Sequence, residues 1–279
     1  MKNKTNIIKY LIISFGWTWG LWITGLCVAL IYNKTLATYM TVFDLLTLTD
    51  GGEHNLIAQL LFALAVFGPF IGYLVMKVYR PFFGKPSKLM IGLTIGVPLV
   101  SLLPALLLSL ISSNLNSDLN TSNLWWIIIT YFIANLITSG TEEFGWRGYL
   151  YPSFKNFEKD FWKISLKGGI IWAVWHLPLM IIMYWSLGFV LISVVAGFIA
   201  SIIAMNYITN VIYEKSNSIL LTVCLHALNN TATFVLVLLF PETPFTIIIP
   251  LMAWGIVAIL EKKIVKHIDV QAKEITVTN

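Results

Sequence analysis

The sequence predicts an all-α polytopic membrane protein with about eight transmembrane helices and both termini in the cytoplasm. Three observations carry this. Of 279 residues, 58% are hydrophobic and 11% charged, against roughly 25% charged in an ordinary soluble domain. The charges cluster between long uncharged runs, as in a multi-pass protein. Lys and Arg also fall on one side of those runs. No soluble surface is left for a basic stripe, so the bilayer is the expected partner and nucleic acid is not. Cys27 and Cys224 lie inside apolar runs and read as small buried hydrophobes, with no disulfide framework or thiolate metal site.

Taken in order, uncharged stretches at 10–33, 55–76, 89–117 and 119–141 supply four spans. The third carries Pro98 and Pro104, which free backbone carbonyls and predict a kink. The uncharged run from 168 to 213 is too long for one helix, and Trp185, Ser186, Leu187 and Gly188 predict a tight hairpin inside it. Stretches at 216–241 and 243–260 supply the last two spans, the final one short. Lys2 to Lys9 followed by an apolar run is read as an uncleaved first span rather than a signal peptide. With the N-terminus in the cytoplasm, every one of the 18 Lys and Arg except Lys34 and Arg147 faces that side, as the positive-inside rule requires. Asp44, Asp50, Glu53, Asp118 and Glu242 face the other. Residues 1–279 read as one integral membrane domain. Gly16 with Gly20, Gly68 with Gly72, and Gly92 with Gly96 have the spacing that lets helix backbones approach in lipid.

The informative residues are the polar ones left within apolar helices: Glu142, Glu143, Arg147, His176, His226, Asn230 and its neighbour Asn229. An ionisable group near the bilayer centre costs roughly 2.5 to 3.5 kcal/mol, so such groups face a bundle interior and are paired or functional. The first cluster, Glu-Glu-x-x-x-Arg, stacks Glu143 on Arg147 one helical turn later. Glu142 is turned about 100° away and is left without that partner. A carboxylate with no cationic neighbour in low dielectric is the kind of group that serves as general base or acid. The alternative is that all three mark the interface. The second cluster places Trp172 one turn before His176, with Pro178 removing a helical donor from the carbonyl of Val174. Taken alone, this histidine reads more readily as a hydrogen-bonded packing residue than as a functional one. The third sets His226 and Asn230 four apart on one face, a donor pair for an oxyanion or an interhelical hydrogen-bond pair.

Depth brings the clusters together. At 1.5 Å of rise per residue, His176 and His226 lie roughly 12 to 13 Å from the cytoplasmic starts of their helices, and Glu142 lies in the same leaflet. His54 and His267 fall in a loop and the tail, where solvated surface is expected.

Glu-Glu-x-x-x-Arg, aromatic-x-x-x-His and His-x-x-x-Asn, in this order, resemble the CPBP intramembrane proteases, the family of CAAX proteases and bacteriocin-processing enzymes. The resemblance covers 124–240. Trp172 stands where the family usually has Phe. The resemblance implies an eight-helix bundle with a cavity toward the cytoplasmic leaflet. It implies Glu142 as the carboxylate that activates water, assisted by His176, and His226 and Asn230 as oxyanion donors. Glu143 and Arg147 fill the remaining motif positions, with Trp172 in support. The family has been described as both metallo- and glutamate-dependent. Zinc held by Glu142, His176 and His226, with an open position for water, is one reading. The metal-free reading is favoured, because there is no His-Glu-x-x-His pair. Implied substrates are prenylated CAAX proteins or bacteriocin-related, membrane-associated peptides. The bias toward Lys, Asn and Ile points to a bacterial plasma membrane. Two other readings stand beside the protease: a non-enzymatic bacteriocin-immunity or regulatory protein on the same fold, and a transporter using these groups as a proton relay.

Overall fold

A computed structural model describes residues 2–37, 54–112, 115–117, 121–241 and 245–266. The expectations for Asp44, Asp50, Glu53, Asp118, Glu242 and His267 lie outside these residues. The protein is an all-α polytopic membrane bundle. Among the described residues the one extended pairing is an isolated bridge between Thr35 and His54. Six described helices are long and apolar enough to cross a membrane, or seven counting one pair bent by 45°.

Helix α1 (Lys2–Ile31) is followed by α2 (Leu56–Leu64) and α3 (Gly68–Met76), which a short 3₁₀ turn joins into the second crossing. Next, α4 (Lys88–Ser112) runs unbroken through Pro98 and Pro104. The fourth crossing holds the first motif: α5 (Leu124–Ile137), a 3₁₀ turn at Ser139–Thr141, α6 (Glu142–Gly145), a π-helical turn at Trp146–Leu150, and α7 (Tyr151–Phe154). The bent pair is α8 (Phe161–Trp175) and α9 (Leu177–Tyr184), broken at His176 ahead of Pro178. Gly188, at φ 56°, turns the chain at the expected hairpin into α10 (Val190–Ser216), then α11 (Ile219–Leu239) and α12 (Ile248–Leu260). The eighth expected span therefore corresponds to α12, whose 13 α-helical residues are fewer than the roughly 20 that a crossing needs.

Local signals set the helix ends. Asp160 caps α8 by accepting from the Lys163 N–H at 2.9 Å, and Ser218 caps α11 by accepting from Leu221. Such caps satisfy donors that the first helical turn leaves open. Asn217, left-handed at φ 49°, closes α10.

Lipid-type exposure is plain on the outer faces, where Ile12, Leu30, Ile111 and Phe189 are all open. Trp125 and Trp126 at the start of α5 and Trp185 at the hairpin are exposed too, as in an interfacial aromatic belt. Of the three glycine pairs, only Gly68 and Gly72 sit in a tight helix crossing. A Cβ at Gly68 would run into Thr18 Oγ1 and the Ser14 carbonyl, whereas Gly16, Gly20, Gly92 and Gly96 have nothing within 4 Å. Cys27 is exposed and Cys224 half-buried, so neither is the fully buried hydrophobe expected.

The segment between α3 and α4 is fastened to the α10–α11 turn. Ser216 O accepts from the Lys85 N–H at 2.7 Å, and Phe82 O accepts from the Leu220 N–H at 2.9 Å. The Phe82 ring stacks on Phe144, centroids 5.8 Å apart.

Candidate active site

The site forms where α6 and its π turn meet α8, α10 and α11. Glu142, Glu143 and Arg147 are buried, the last two completely, which removes the reading of them as interface charges. Gly145 makes this position possible, because a Cβ there would strike Pro69 O and the Tyr10 hydroxyl. As expected, Glu143 and Arg147 pair: Arg147 Nη1 lies 2.9 Å from Oε2 and donates to Oε1 at 3.1 Å. Glu143 has a second partner the spacing did not indicate, Nδ1 of His226 at 2.9 Å.

Glu142 has no cationic partner among the described residues. Its Oε2 accepts instead from two indoles, Trp172 Nε1 at 2.9 Å and Trp146 Nε1 at 3.2 Å. Its Oε1 is left without a protein donor among the described residues. Trp172 touches every other motif as well. Its carbonyl accepts from His176 Nδ1 at 2.8 Å, the Arg147 guanidinium lies 4.7 Å from its ring centroid, and its ring meets His226 edge-on at 5.2 Å.

Both histidines are thus oriented through Nδ1. A carbonyl oxygen only accepts, so His176 carries its proton on Nδ1 and presents Nε2 as a lone pair. His226, held by Glu143, can donate from Nε2 only as the imidazolium.

Asn230 is brought to the same region but engaged differently. Its Nδ2 donates to Asn135 Oδ1 at 3.2 Å and to Ser139 Oγ at 3.1 Å, so it can offer a hydrogen to an oxyanion only by exchanging a partner. Asn229 enters through its carbonyl, which accepts from Thr233. Sequence reasoning missed Asn135 and Ser139, and also Asn206 on α10. Asn206 accepts from Arg147 Nη2 at 2.9 Å and donates to Ser165 O at 2.7 Å. The available signal was amides inside apolar runs, a fainter mark than an ionisable group because an amide carries no charge.

A zinc ion on Glu142, His176 and His226 would have to take Glu142 Oε1 and Nε2 of both histidines, because Glu142 Oε2 and both Nδ1 atoms already have protein partners. Among the described residues no group of three or more His, Cys, Asp or Glu is placed to hold a metal ion.

Residues 121–232 match the family model described as "Type II CAAX prenyl endopeptidase Rce1-like", a range that encloses every candidate from Glu142 to Asn230. A 47-residue stretch is 38% identical to the CAAX prenyl protease 2 of Methanococcus maripaludis, covering 17% of this chain and 17% of that relative's length. Both matches support the CPBP family that the three motifs indicate.

Proposed function

We propose that the protein is an intramembrane endopeptidase that hydrolyses a peptide bond near the cytoplasmic leaflet, with a CAAX-type prenylated protein or a bacteriocin-related peptide as substrate. The observation that carries this is Glu142: a buried carboxylate with indole donors on Oε2, no ion pair among the described residues, and an unengaged Oε1 among three motifs from separate helices.

In this reading Glu142 Oε1 takes a proton from water, whose oxygen bonds to the scissile carbonyl carbon. His176 Nε2 accepts a hydrogen bond from the water's other O–H and so orients the attack. The carbonyl π electrons move to oxygen, and the oxyanion is met by an N–H at Nε2 of His226, whose Nδ1 is held by Glu143, and by Asn230 once it exchanges a partner. Collapse breaks the C–N bond, and the proton held by Glu142 passes to the leaving amine. No metal enters these steps, and a bacterial plasma membrane is the proposed setting.

The test is proteolysis by purified protein in liposomes against apolar and prenylated peptides, with metal content measured on the same preparation. Cleavage lost in both Glu142→Gln and His226→Ala, with folding retained, is expected. One zinc per chain with loss on chelation would overturn the metal-free mechanism. Peptide binding that survives Glu142→Ala, with no cleavage by wild type, would identify a binding or immunity protein.

A further inference from the structure

Trp172 carries one thing a phenyl ring in its place would lack, an N–H. That N–H makes the shorter of the two hydrogen bonds to Glu142, 2.9 Å against 3.2 Å from Trp146. The indole is 2% exposed and wedged between Arg147 and His226, so it has little freedom to turn away. Two donors on one carboxylate oxygen from different directions fix the plane of the carboxylate and leave the other oxygen for a reactant. Orientation of this kind acts on the reacting geometry rather than on substrate affinity.

We infer that Trp172 is a positioning residue whose indole N–H, with that of Trp146, clamps Oε2 of Glu142 and so selects Oε1 as the proton-accepting atom. The inference rests on the reading of Glu142 as general base.

Trp172→Phe in the full chain keeps a ring against Arg147 and His226 and leaves the carbonyl that holds His176, while deleting the N–H. The matched comparison is Trp22→Phe, since the buried Trp22 Nε1 has no partner among the described residues. With a cleaved peptide, Trp172→Phe is expected to lower kcat by about ten- to a hundredfold with KM little changed, since hydrogen bonds to charged groups are the stronger class. Trp22→Phe is expected to match wild type. A second arm needs no turnover: the Trp172 indole ¹H–¹⁵N resonance, assigned by its loss in Trp172→Phe, is expected to move in Glu142→Gln. Wild-type kcat in Trp172→Phe overturns the inference, and so does an indole resonance indifferent to Glu142→Gln. If wild-type protein cleaves nothing, the hydrolase reading fails by itself, and the resonance then decides whether the clamp exists.

Discussion

Oε1 of Glu143 lies 2.9 Å from Nδ1 of His226, joining the first motif to the third across 83 residues of chain. The same carboxylate holds Arg147. The two adjacent glutamates therefore divide their work: Glu143 is shared between a guanidinium and an imidazole, and Glu142 is met only by neutral donors. A tandem pair on one helix turn serves two different faces, one toward α8 and one toward α11.

Breaking the Glu143–Arg147 pair is predicted to be costly. Arg147→Met leaves Glu143 buried against a single histidine and is expected to destabilise the protein by about 3 to 5 kcal/mol. The double variant Glu143→Gln with Arg147→Met is expected to recover part of that loss, because no buried carboxylate is left without its guanidinium. Chemical unfolding in detergent measures both.

Glu142→Gln preserves shape and can still accept from both indoles. Folding stability should change little, while kcat falls by about 10²- to 10⁴-fold, the range for loss of a general base. Thermal unfolding and peptide hydrolysis on one preparation separate the two effects.

Asn230 is held by residues that no motif names. Asn135→Leu removes the oxygen that accepts from both Ser139 and Asn230. It is expected to destabilise by about 1 to 3 kcal/mol through donors left unpaired, and to lower kcat more than Ser139→Ala. A Ser139→Ala loss equal to or larger than that of Asn135→Leu would show that the serine, not the amide, sets Asn230.

The bundle and its polar clusters were legible in the sequence because lipid makes both conspicuous. An apolar run of twenty or more residues suits a bilayer far better than a soluble core, and a charge inside such a run must be paired or put to use. The hairpin at Gly188 and the Glu143–Arg147 pair follow from such local rules. Contacts that depend on how helices rotate against each other were not legible. The Glu143–His226 bond, the reach of Asn206 to Arg147 and the indole donors to Glu142 each require helix placement that no residue spacing specifies. Trp172 is legible as one aromatic replacing another, which describes its ring and leaves out its N–H. The shortness of the last span was expected, but not that α12 starts only at Ile248, because apolarity alone does not mark where helical hydrogen bonding begins.

Small residues are predicted to differ sharply with position. Gly68→Ala must displace the Ser14 backbone or Thr18, and should destabilise by about 1 to 3 kcal/mol, the range for overpacking. Gly92→Ala, with open space around it, should be neutral or slightly stabilising. Unfolding midpoints of the two variants check this.

Outside the membrane, the Glu158 carboxyl is held below its usual range, chiefly by the Asp160 N–H at 3.2 Å, with Lys167 and the Lys159 N–H adding to it. A carboxylate shifted downward stabilises the fold above its unfolded value, about 4.3, and loses that contribution as pH falls through the folded one. The melting-temperature gap between wild type and Glu158→Gln should be full at neutral pH and close below about pH 4.

The fastening of Phe82 and Lys85 to the α10–α11 turn relies on main-chain atoms at both ends. The residues it requires by type are small: Ser218 Oγ donates to Phe82 O at 3.2 Å, and a Cβ at Gly84, φ 61°, would strike Asn217 O, so a serine and a glycine are its trace in the sequence. Proline at 85, 219 or 220 would remove a main-chain donor. A stretch held chiefly through its main chain thus anchors, mechanically, the helix that carries His226 to the loop whose Phe82 covers the first motif.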